Sequence, residues 1–326
     1  MIEIEVDVAD LAQVRFTTDA VWETAASLHA LVFSKHHLLH QRIRRLVPRH
    51  PEFDLEHLLT MVGDGAWLPD VLAPTPSPRP ADPLQQIAAL RETDPAVVEA
   101  DLSMLGRHAP GSRTSAMRPE EYLVATVEAL TGWWLTVLQP LWERVDAIAR
   151  ADIAHHQAVV GAEGLAAAMP VLHRDLSFDG EHLRVDLART EVTTRAAGAG
   201  VWLMPSVFRW PWVACDTREG SAVVSYGARG SGRVWHQPGR EAPPGLADLI
   251  GRTRAVILER LDVPFSTTAL SRMLGLSLST VSEHLTVMAS SGLLQSRRDG
   301  QRVLYWRTMV GDLLVDGEPA SGRRSG

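Results

Sequence analysis

Two groups of polar side chains near the C-terminal end of the sequence could bind a nucleic acid. The first group has hydroxyl, carboxylate and imidazole side chains at helical spacing: Ser279, Thr280, Ser282, Glu283, His284 and Thr286. The second group follows shortly afterwards and is mainly basic: Arg297, Arg298, Gln301 and Arg302. Small hydroxyl groups near a helix N-terminus allow close approach to DNA and hydrogen-bond to phosphates or base edges, and arginines neutralise phosphates. Together they predict a surface for double-stranded DNA.

The first group requires a helix that follows another helix after a tight turn. Ser266 and Thr267 are candidate N-caps of a helix that ends near Leu274. Gly275 suits the C-cap, because a positive φ there costs little without a Cβ. Ser277 is the candidate N-cap of the second helix. Its inward face is predicted from residues at i, i+4 and i+7: Val281, Leu285 and Met288. The polar group then occupies the other faces.

The second group requires a β-hairpin. Two apolar runs, at 293–294 and 303–306, flank the Asp299-Gly300 pair, which is a strong signal for a hairpin turn. Two helices followed by a basic hairpin are typical of a winged helix-turn-helix, in which the second helix enters the major groove and the hairpin contacts phosphates. An ordinary helical hairpin, or a winged helix that binds another protein, is the alternative interpretation.

This segment resembles the ArsR-type family of bacterial repressors over residues 246–315, on the order TTALSRMLGLSLSTVSEHLTVMASSGLLQSRRDGQRVLY. The resemblance implies a homodimer that binds operator DNA with residues 279–286, paired through the flanking segments 246–261 and 309–315. Many members of the family sense metals through cysteines on the first helix. Here Ser266, Thr267 and Thr268 stand in that region, so thiolate metal sensing is not expected. The whole chain is similar to a longer actinobacterial subgroup with a large N-terminal region.

Composition predicts an ordinary globular protein of two or three domains, with 326 residues, 45% hydrophobic and 22% charged. The sequence contains no apolar run of 18 residues and begins with an acidic segment, which argues against a membrane span or a secretion signal and favours a cytoplasmic protein. Charge is unevenly distributed: residues 1–244 carry a net charge of −9 and residues 245–326 a net charge of +2. The positive balance coincides with the predicted DNA-binding segment.

The upstream sequence predicts an α+β fold. Residues 1–170 are expected to be mainly helical after a strand at 2–8, with a Pro-rich link at 74–83. Residues 171–240 are expected to form a small, mainly antiparallel sheet, either as a separate region or as one domain with the helices. A linker at 236–245 leads into a winged helix-turn-helix domain at 246–316, which opens with one helix from Leu246 to Leu261.

The spacing of the histidines and the single cysteine does not predict a metal-binding site. His36 and His40 share a helix face, and His155 and His156 form a second pair, but surface or boundary positions are the preferred interpretation. Cys215, the only cysteine, excludes an internal disulfide and any zinc site of several cysteines, and its apolar surroundings favour a small buried hydrophobe. No metal site and no cofactor are predicted.

Aromatic residues are concentrated around the predicted strands. One hypothesis is a pocket for an apolar small-molecule effector, with Arg209 and His173 as polar groups and this lining: Trp202, Met204, Phe208, Trp210 and Trp212. The alternative is a well-packed aromatic core.

The leading functional hypothesis is a dimeric transcriptional regulator, in particular a repressor, whose N-terminal region serves dimerisation, effector sensing or both. An enzyme with a regulatory DNA-binding tail is one rival, although the sequence has no phosphate loop and no Gly-x-Ser-x-Gly motif, so no enzymatic activity is expected. A protein-interaction module that uses the winged helix is the other rival.

Overall fold

A computed structural model of the chain describes residues 1–33, 38–40, 42–63, 65, 67–187, 192–196, 198, 200–209, 212–217, 222–235, 245–261, 264–299 and 302–316. The chain divides into two compact units, Met1–Val234 and Trp235–Gly326. Helices and small sheets are both present, so the predicted α+β class is confirmed.

The first unit is rich in helices. Their bounds are α1 Val8–Leu11, α2 Ala20–Val32, α3 Ile43–Leu46, α4 Leu55–Val62, α5 Pro83–Ala89, α6 Pro95–His108, α7 Pro119–Trp133, α8 Gln139–Glu163 and α9 Leu165–Leu172. A π-helical stretch, Trp134–Leu138, joins α7 to α8. Aspartates cap several of these helices: the Asp19 side chain, for example, accepts from the backbone N–H groups of Val21 and Trp22.

The strands of the first unit form two mixed sheets. Their bounds are β1 Ile2–Glu5, β2 Arg15–Phe16, β3 Leu176–Phe178, β4 His182–Val185, β5 Val192–Arg195, β6 Val201–Ser206, β7 Val213–Asp216 and β8 Ala222–Gly227. One sheet has the order β3-β4-β1-β5 and the other β2-β6-β8-β7.

The expectation of one mainly antiparallel sheet within 171–240 was wrong. The pairs β1–β5, β2–β6 and β6–β8 are parallel, and β1 and β2 come from the N-terminus. All six residues of β6 are buried, as are five of the six in β8. Such continuous burial is typical of parallel strands covered on both faces. A core of buried side chains from both sheets and from α9 holds this region together, with Ile4, Leu183, Leu203 and Met169 among its members.

The second unit contains α10 Leu246–Ile250, α11 Arg252–Arg260, β9 Phe265–Ser266, α12 Thr267–Leu274, α13 Leu278–Ser290, β10 Leu294–Asp299, β11 Arg302–Arg307 and α14 Met309–Asp316. The strands form a sheet of order β10-β11-β9. The single helix expected from Leu246 to Leu261 is interrupted at Gly251, whose φ of 85° is incompatible with a continuous α-helix. In the part of the chain that the structure describes, no helix is both long and apolar enough to span a membrane.

Candidate DNA-binding surface

The turn between α12 and α13 is fixed by caps at both ends. Ser266 accepts a hydrogen bond from the backbone N–H of Ala269 at 3.2 Å, and Gly275 ends α12 in the left-handed conformation with φ of 65°. The Ser271 hydroxyl donates to the Leu276 carbonyl at 2.6 Å and thereby closes the turn. These contacts set the position at which α13 begins.

The core beneath α13 fixes the orientation of that helix. Val281, Leu285 and Met288 are buried, as their spacing predicts, and they pack with Ile257 and Leu270 of the preceding helices. Because these three residues face inward, the opposite side of α13 is presented to solvent.

The predicted polar group lies on the outer faces of α13. Ser279, Ser282, Glu283 and Thr286 are exposed, while Thr280 and His284 are half-buried. The structure therefore brings all six residues onto one accessible helix, where they can act as hydrogen-bond donors and acceptors toward base edges or phosphates.

Hydroxyl groups cluster at the first turn of α13. The Ser277 Oγ lies 2.8 Å from the Ser279 Oγ and 2.8 Å from the Thr280 Oγ1, and it accepts from the Thr280 backbone N–H at 3.1 Å. Further along, the Thr286 hydroxyl donates to the Ser282 carbonyl at 2.8 Å. Thr286 is therefore free to act outward only as an acceptor, whereas the Ser282 hydroxyl can donate and accept.

His284 has its two ring nitrogens in different surroundings. Its Nδ1 is buried and makes no hydrogen bond with the residues that the structure describes. A neutral imidazole has one N–H donor and one acceptor nitrogen. The Nε2 of His284 can therefore donate to or accept from a base edge or a phosphate, depending on the tautomer.

The wing follows α13 directly. Strands β10 and β11 pair antiparallel, with Asp299 opposite Arg302 and Arg298 opposite Val303. Arg298 is exposed. Arg297 and Arg302 are described only by their backbones, in β10 and β11, and Gln301 lies outside the described residues. The hairpin thus brings the three arginines to the end of the wing next to its turn.

Arg307 at the end of β11 ties the wing to α11. It is buried, and its Nη1 donates to the carbonyl oxygens of Leu258 at 3.0 Å and Glu259 at 3.2 Å. Its backbone N–H donates to the Leu261 carbonyl at 3.1 Å. Because these bonds use carbonyls at the C-terminal end of α11, Arg307 anchors the sheet rather than contributing to the outer surface.

Leu278 is a surface residue that the helical periodicity does not reveal. Leu278 lies three positions before Val281, so helical periodicity places it on the buried face. It is nevertheless 53% exposed, because it is the first residue of α13. An apolar side chain beside Ser279 can contact a thymine methyl group. The cap at Ser277 is the only sequence signal for this position, since it makes Leu278 the first helical residue.

Apolar side chains are also exposed on the helices that flank the motif. Leu249 in α10 is 71% exposed and Val310 in α14 is 53% exposed. Val256 in α11 and Leu313 in α14 are also exposed. Leu314 and Val315, by contrast, pack against the core of the unit. The flanking helices therefore carry apolar side chains in the core of the unit and others at its surface.

The described members of the predicted aromatic pocket lie in different surroundings. Trp202 and Met204 pack with Trp22, Ala73 and Val223 in a buried cluster. Phe208 is fully buried and its ring lies 4.9 Å from that of His40, whereas Trp212 is 42% exposed. Trp210 lies outside the described residues. Close packing accounts for the three buried members, in agreement with the alternative interpretation.

The proposed polar groups of that pocket are also engaged elsewhere. Arg209 is buried beside Glu23, and burial lowers the pKa of Arg209 to about 10 and raises the pKa of Glu23 to about 7. Glu23 accepts a hydrogen bond from the Phe208 backbone N–H at 2.9 Å. His173 Nδ1 accepts from the Asp175 backbone N–H at 3.3 Å.

The assignment of the histidines to surface positions was wrong for two of them. His40 and His156 are fully buried. The His156 Nδ1 lies 2.9 Å from the Asp152 carboxylate, which also accepts from the Tyr226 hydroxyl at 2.8 Å and the Arg229 backbone N–H at 2.8 Å. The i, i+4 spacing of Asp152 and His156 was a signal that could have revealed this buried network. His36 and His37 lie outside the described residues.

The metal chemistry of the described residues is limited. No group of three His, Cys, Asp or Glu side chains among them is arranged to hold a metal ion. Cys215 lies on β7, and burial raises the pKa of its thiol to about 12. The thiol is therefore protonated at neutral pH, which disfavours metal binding as a thiolate.

The comparison with protein families agrees with the geometry of the second unit. Residues 249–297 match a family model described as a helix-turn-helix domain. No curated protein and no solved structure matches the chain significantly. The matched segment covers α11, α12 and α13 and extends into β10. The chain thus contains a helix-turn-helix domain, which supports its assignment as a DNA-binding regulator.

Proposed function

We propose that this protein is a sequence-specific, dimeric transcriptional repressor of the ArsR type that acts in the cytoplasm. The observation that carries the proposal is the presentation of α13. Its inner face is fixed by Val281, Leu285 and Met288, and its exposed first turns carry hydroxyl groups, a carboxylate and an imidazole. This is the form in which a recognition helix enters a major groove.

Base reading is assigned to the N-terminal half of α13. Ser282 and His284 can donate or accept, Glu283 can accept from a cytosine amino group, and Leu278 can contact a thymine methyl group. Ser279 and Thr280 lie at the positive end of the helix dipole, where a phosphate is bound favourably.

Phosphate binding is assigned to the wing. Arg297, Arg298 and Arg302 lie close to the hairpin turn, and Arg307 holds the wing against α11. The net charge of −9 on residues 1–244 repels DNA, so the positive second unit is the part of the chain suited to binding it.

Pairing of two copies is assigned to the exposed apolar side chains of α10, α11 and α14. One recognition helix covers only a few base pairs, and two-fold pairing places a second helix about 34 Å away in the next major groove. The exposure of Leu249, Val256, Val310 and Leu313 supports such pairing, because burying exposed apolar side chains against a second copy is favourable.

The first unit is proposed to sense an effector. We infer that the chain acts by binding rather than by catalysis, because the sequence has no nucleophile motif and no phosphate-binding loop. A repressor needs a signal that releases it from its operator, and the first unit makes up most of the chain.

Selection from a pool of random duplexes by the purified full chain tests the proposed function. The expected result is enrichment of an inverted repeat whose half-sites are about one helical turn apart. Recovery of duplexes without any common sequence would contradict sequence-specific binding, and enrichment of a single half-site would contradict the dimer.

A further inference from the structure

The first unit contains a cavity of about 780 Å³ that lies apart from the predicted aromatic pocket. Its walls come from α1, β2, the end of α8, the start of α9 and β3. The apolar lining includes Leu11, Val14, Phe16, Val160, Leu165 and Phe178. These six side chains are only partly buried, although they pack against the core of the sheets. The volume lies within the range of roughly 300–1,000 Å³ that is common for small-molecule sites.

A positively charged side chain, that of Arg15, also lines this cavity. In the described part of the chain no carboxylate lies within ion-pair distance of its guanidinium group. A guanidinium group that is not neutralised by the protein attracts an anion, and its planar donors fit a carboxylate in particular.

Neighbouring groups hold Arg15 in place. Its Nη2 donates to the Gln13 Oε1 at 2.8 Å, and the Gln13 Nε2 donates to the Gly198 carbonyl at 2.7 Å. The guanidinium carbon lies 5.1 Å from the centre of the Trp202 ring, within the range of a cation–π contact. Because Arg15 is oriented before any ligand arrives, binding an anion there costs little side-chain entropy.

We infer that this cavity binds a small amphipathic carboxylic acid, with its apolar body against the six apolar side chains and its carboxylate on Arg15. Burial of partly exposed apolar surface supplies the affinity, and the charge on Arg15 selects the anion over a neutral analogue. All of the residues involved belong to the first unit, so this ligand site does not depend on DNA binding. Its role as the effector site does rest on the proposed function.

Gly161 gives direct experimental access to the cavity. It lines the wall within α8, and a Cβ added there meets no atom within 4 Å. A leucine at this position fills part of the cavity and also favours the helix over glycine. Gly106 in α6 is a matched control, because a Cβ there also meets no atom within 4 Å and the residue does not line this cavity.

Calorimetric titration of the full chain with decanoate, in the absence of DNA, tests the inference, with 1-decanol as the neutral probe. Saturable binding of decanoate is expected. Arg15→Gln should weaken decanoate binding about tenfold and leave 1-decanol binding unchanged. Gly161→Leu should weaken the binding of both probes, and Gly106→Leu and the exposed-arginine control Arg91→Gln should bind as the native chain does.

Two results would overturn the inference: absence of saturable decanoate binding to the native chain, or native-like binding by Gly161→Leu. If Gly161→Leu does not fold, as judged by circular dichroism, Ala166→Leu on α9 takes its place, because Ala166 is exposed and lines the same cavity. Equal loss of both probes in Arg15→Gln would contradict the selection of an anion. Since no DNA is present, failure here leaves the proposed DNA-binding function untouched.

Discussion

The Ser277 side chain accepts a hydrogen bond from the Thr280 backbone N–H at 3.1 Å, and this cap defines where the exposed helix α13 begins. The cap uses one of the four N–H groups that a helix leaves unpaired at its N-terminus. The remaining N–H groups at this end of the helix are then available to a phosphate.

Substitutions on the groove-facing side of α13 should reduce specificity. Ser282→Ala or His284→Ala is expected to cost about 1–3 kcal/mol of affinity for the selected duplex, because a base contact is lost, while affinity for a scrambled duplex stays the same. Fluorescence anisotropy with both duplexes measures the two affinities. Ser290→Ala, an exposed serine at the far end of α13, is the control and should bind normally. Native discrimination by both variants would exclude base reading by this face.

Substitutions in the wing should act on all DNA sequences equally. Replacing Arg297, Arg298 or Arg302 singly with alanine removes one phosphate contact, which should lower the slope of log affinity against log salt concentration by about one. Arg91→Ala, an exposed arginine of the first unit, serves as the control. If the slope is native in all three wing variants, the wing is not part of the interface.

Charges placed at the exposed apolar positions of α10 and α14 should separate the two copies. Leu249→Glu together with Val310→Glu would bury two carboxylates on each copy, so sedimentation velocity is expected to show a monomer and the affinity for the inverted repeat should fall. Val124→Glu provides the comparison, since Val124 is an exposed apolar residue on α7 of the first unit. A double variant that remains dimeric would assign the pairing to another surface.

The stability of the fold should depend on His57. Its Nδ1 lies 3.1 Å from the Thr114 Oγ1 and its Nε2 lies 2.9 Å from the Thr126 Oγ1, and burial lowers its pKa from 6.5 to about 4. Between those pH values the unfolded chain binds a proton that the folded chain does not. The contribution of neutral His57 is therefore complete above pH 6.5 and is lost as the pH falls towards 4, by up to about 3 kcal/mol.

Urea unfolding of the native chain and of His57→Gln from pH 7 to pH 5 isolates this effect. Burial raises the pKa of Glu23 to about 7 and that of Asp19 to about 6, and these two acids stabilise the fold in the opposite sense, less as the pH rises. The native chain and His57→Gln both contain Glu23 and Asp19. The effect of these two acids therefore cancels when the unfolding free energies of the two proteins are subtracted. The native chain should lose more stability on acidification than His57→Gln, and parallel pH profiles would show that His57 does not titrate differently in the two states.

Local signals in the sequence predicted the second unit well. Caps at Ser266 and Ser277, Gly275 with its positive φ, and the spacing of Val281, Leu285 and Met288 are each determined within a few residues, and the structure confirms all of them. The interruption at Gly251 was missed because a single glycine within an apolar helical pattern does not by itself reveal a positive φ.

The sheets of the first unit could not be predicted in the same way. Strand β2 is two residues long and shows no periodicity, and its partner β6 lies nearly 190 residues further along the chain. Alternation identifies a strand but not its neighbour, so the parallel pairs and the cavity beside Arg15 were not foreseeable. Likewise, ten tryptophans suggested a pocket, whereas the burial of Trp202 and Met204 comes from packing.

Competition between the selected duplex and a scrambled duplex of the same length, at two salt concentrations, tests the central claim most directly. A protein that reads bases with α13 and holds phosphates with the wing should prefer the selected duplex by roughly 10³-fold or more, and both affinities should fall as salt rises. Equal affinity for the two duplexes, or binding that does not respond to salt, would contradict the assignment of residues 246–316 as a sequence-specific DNA-binding domain.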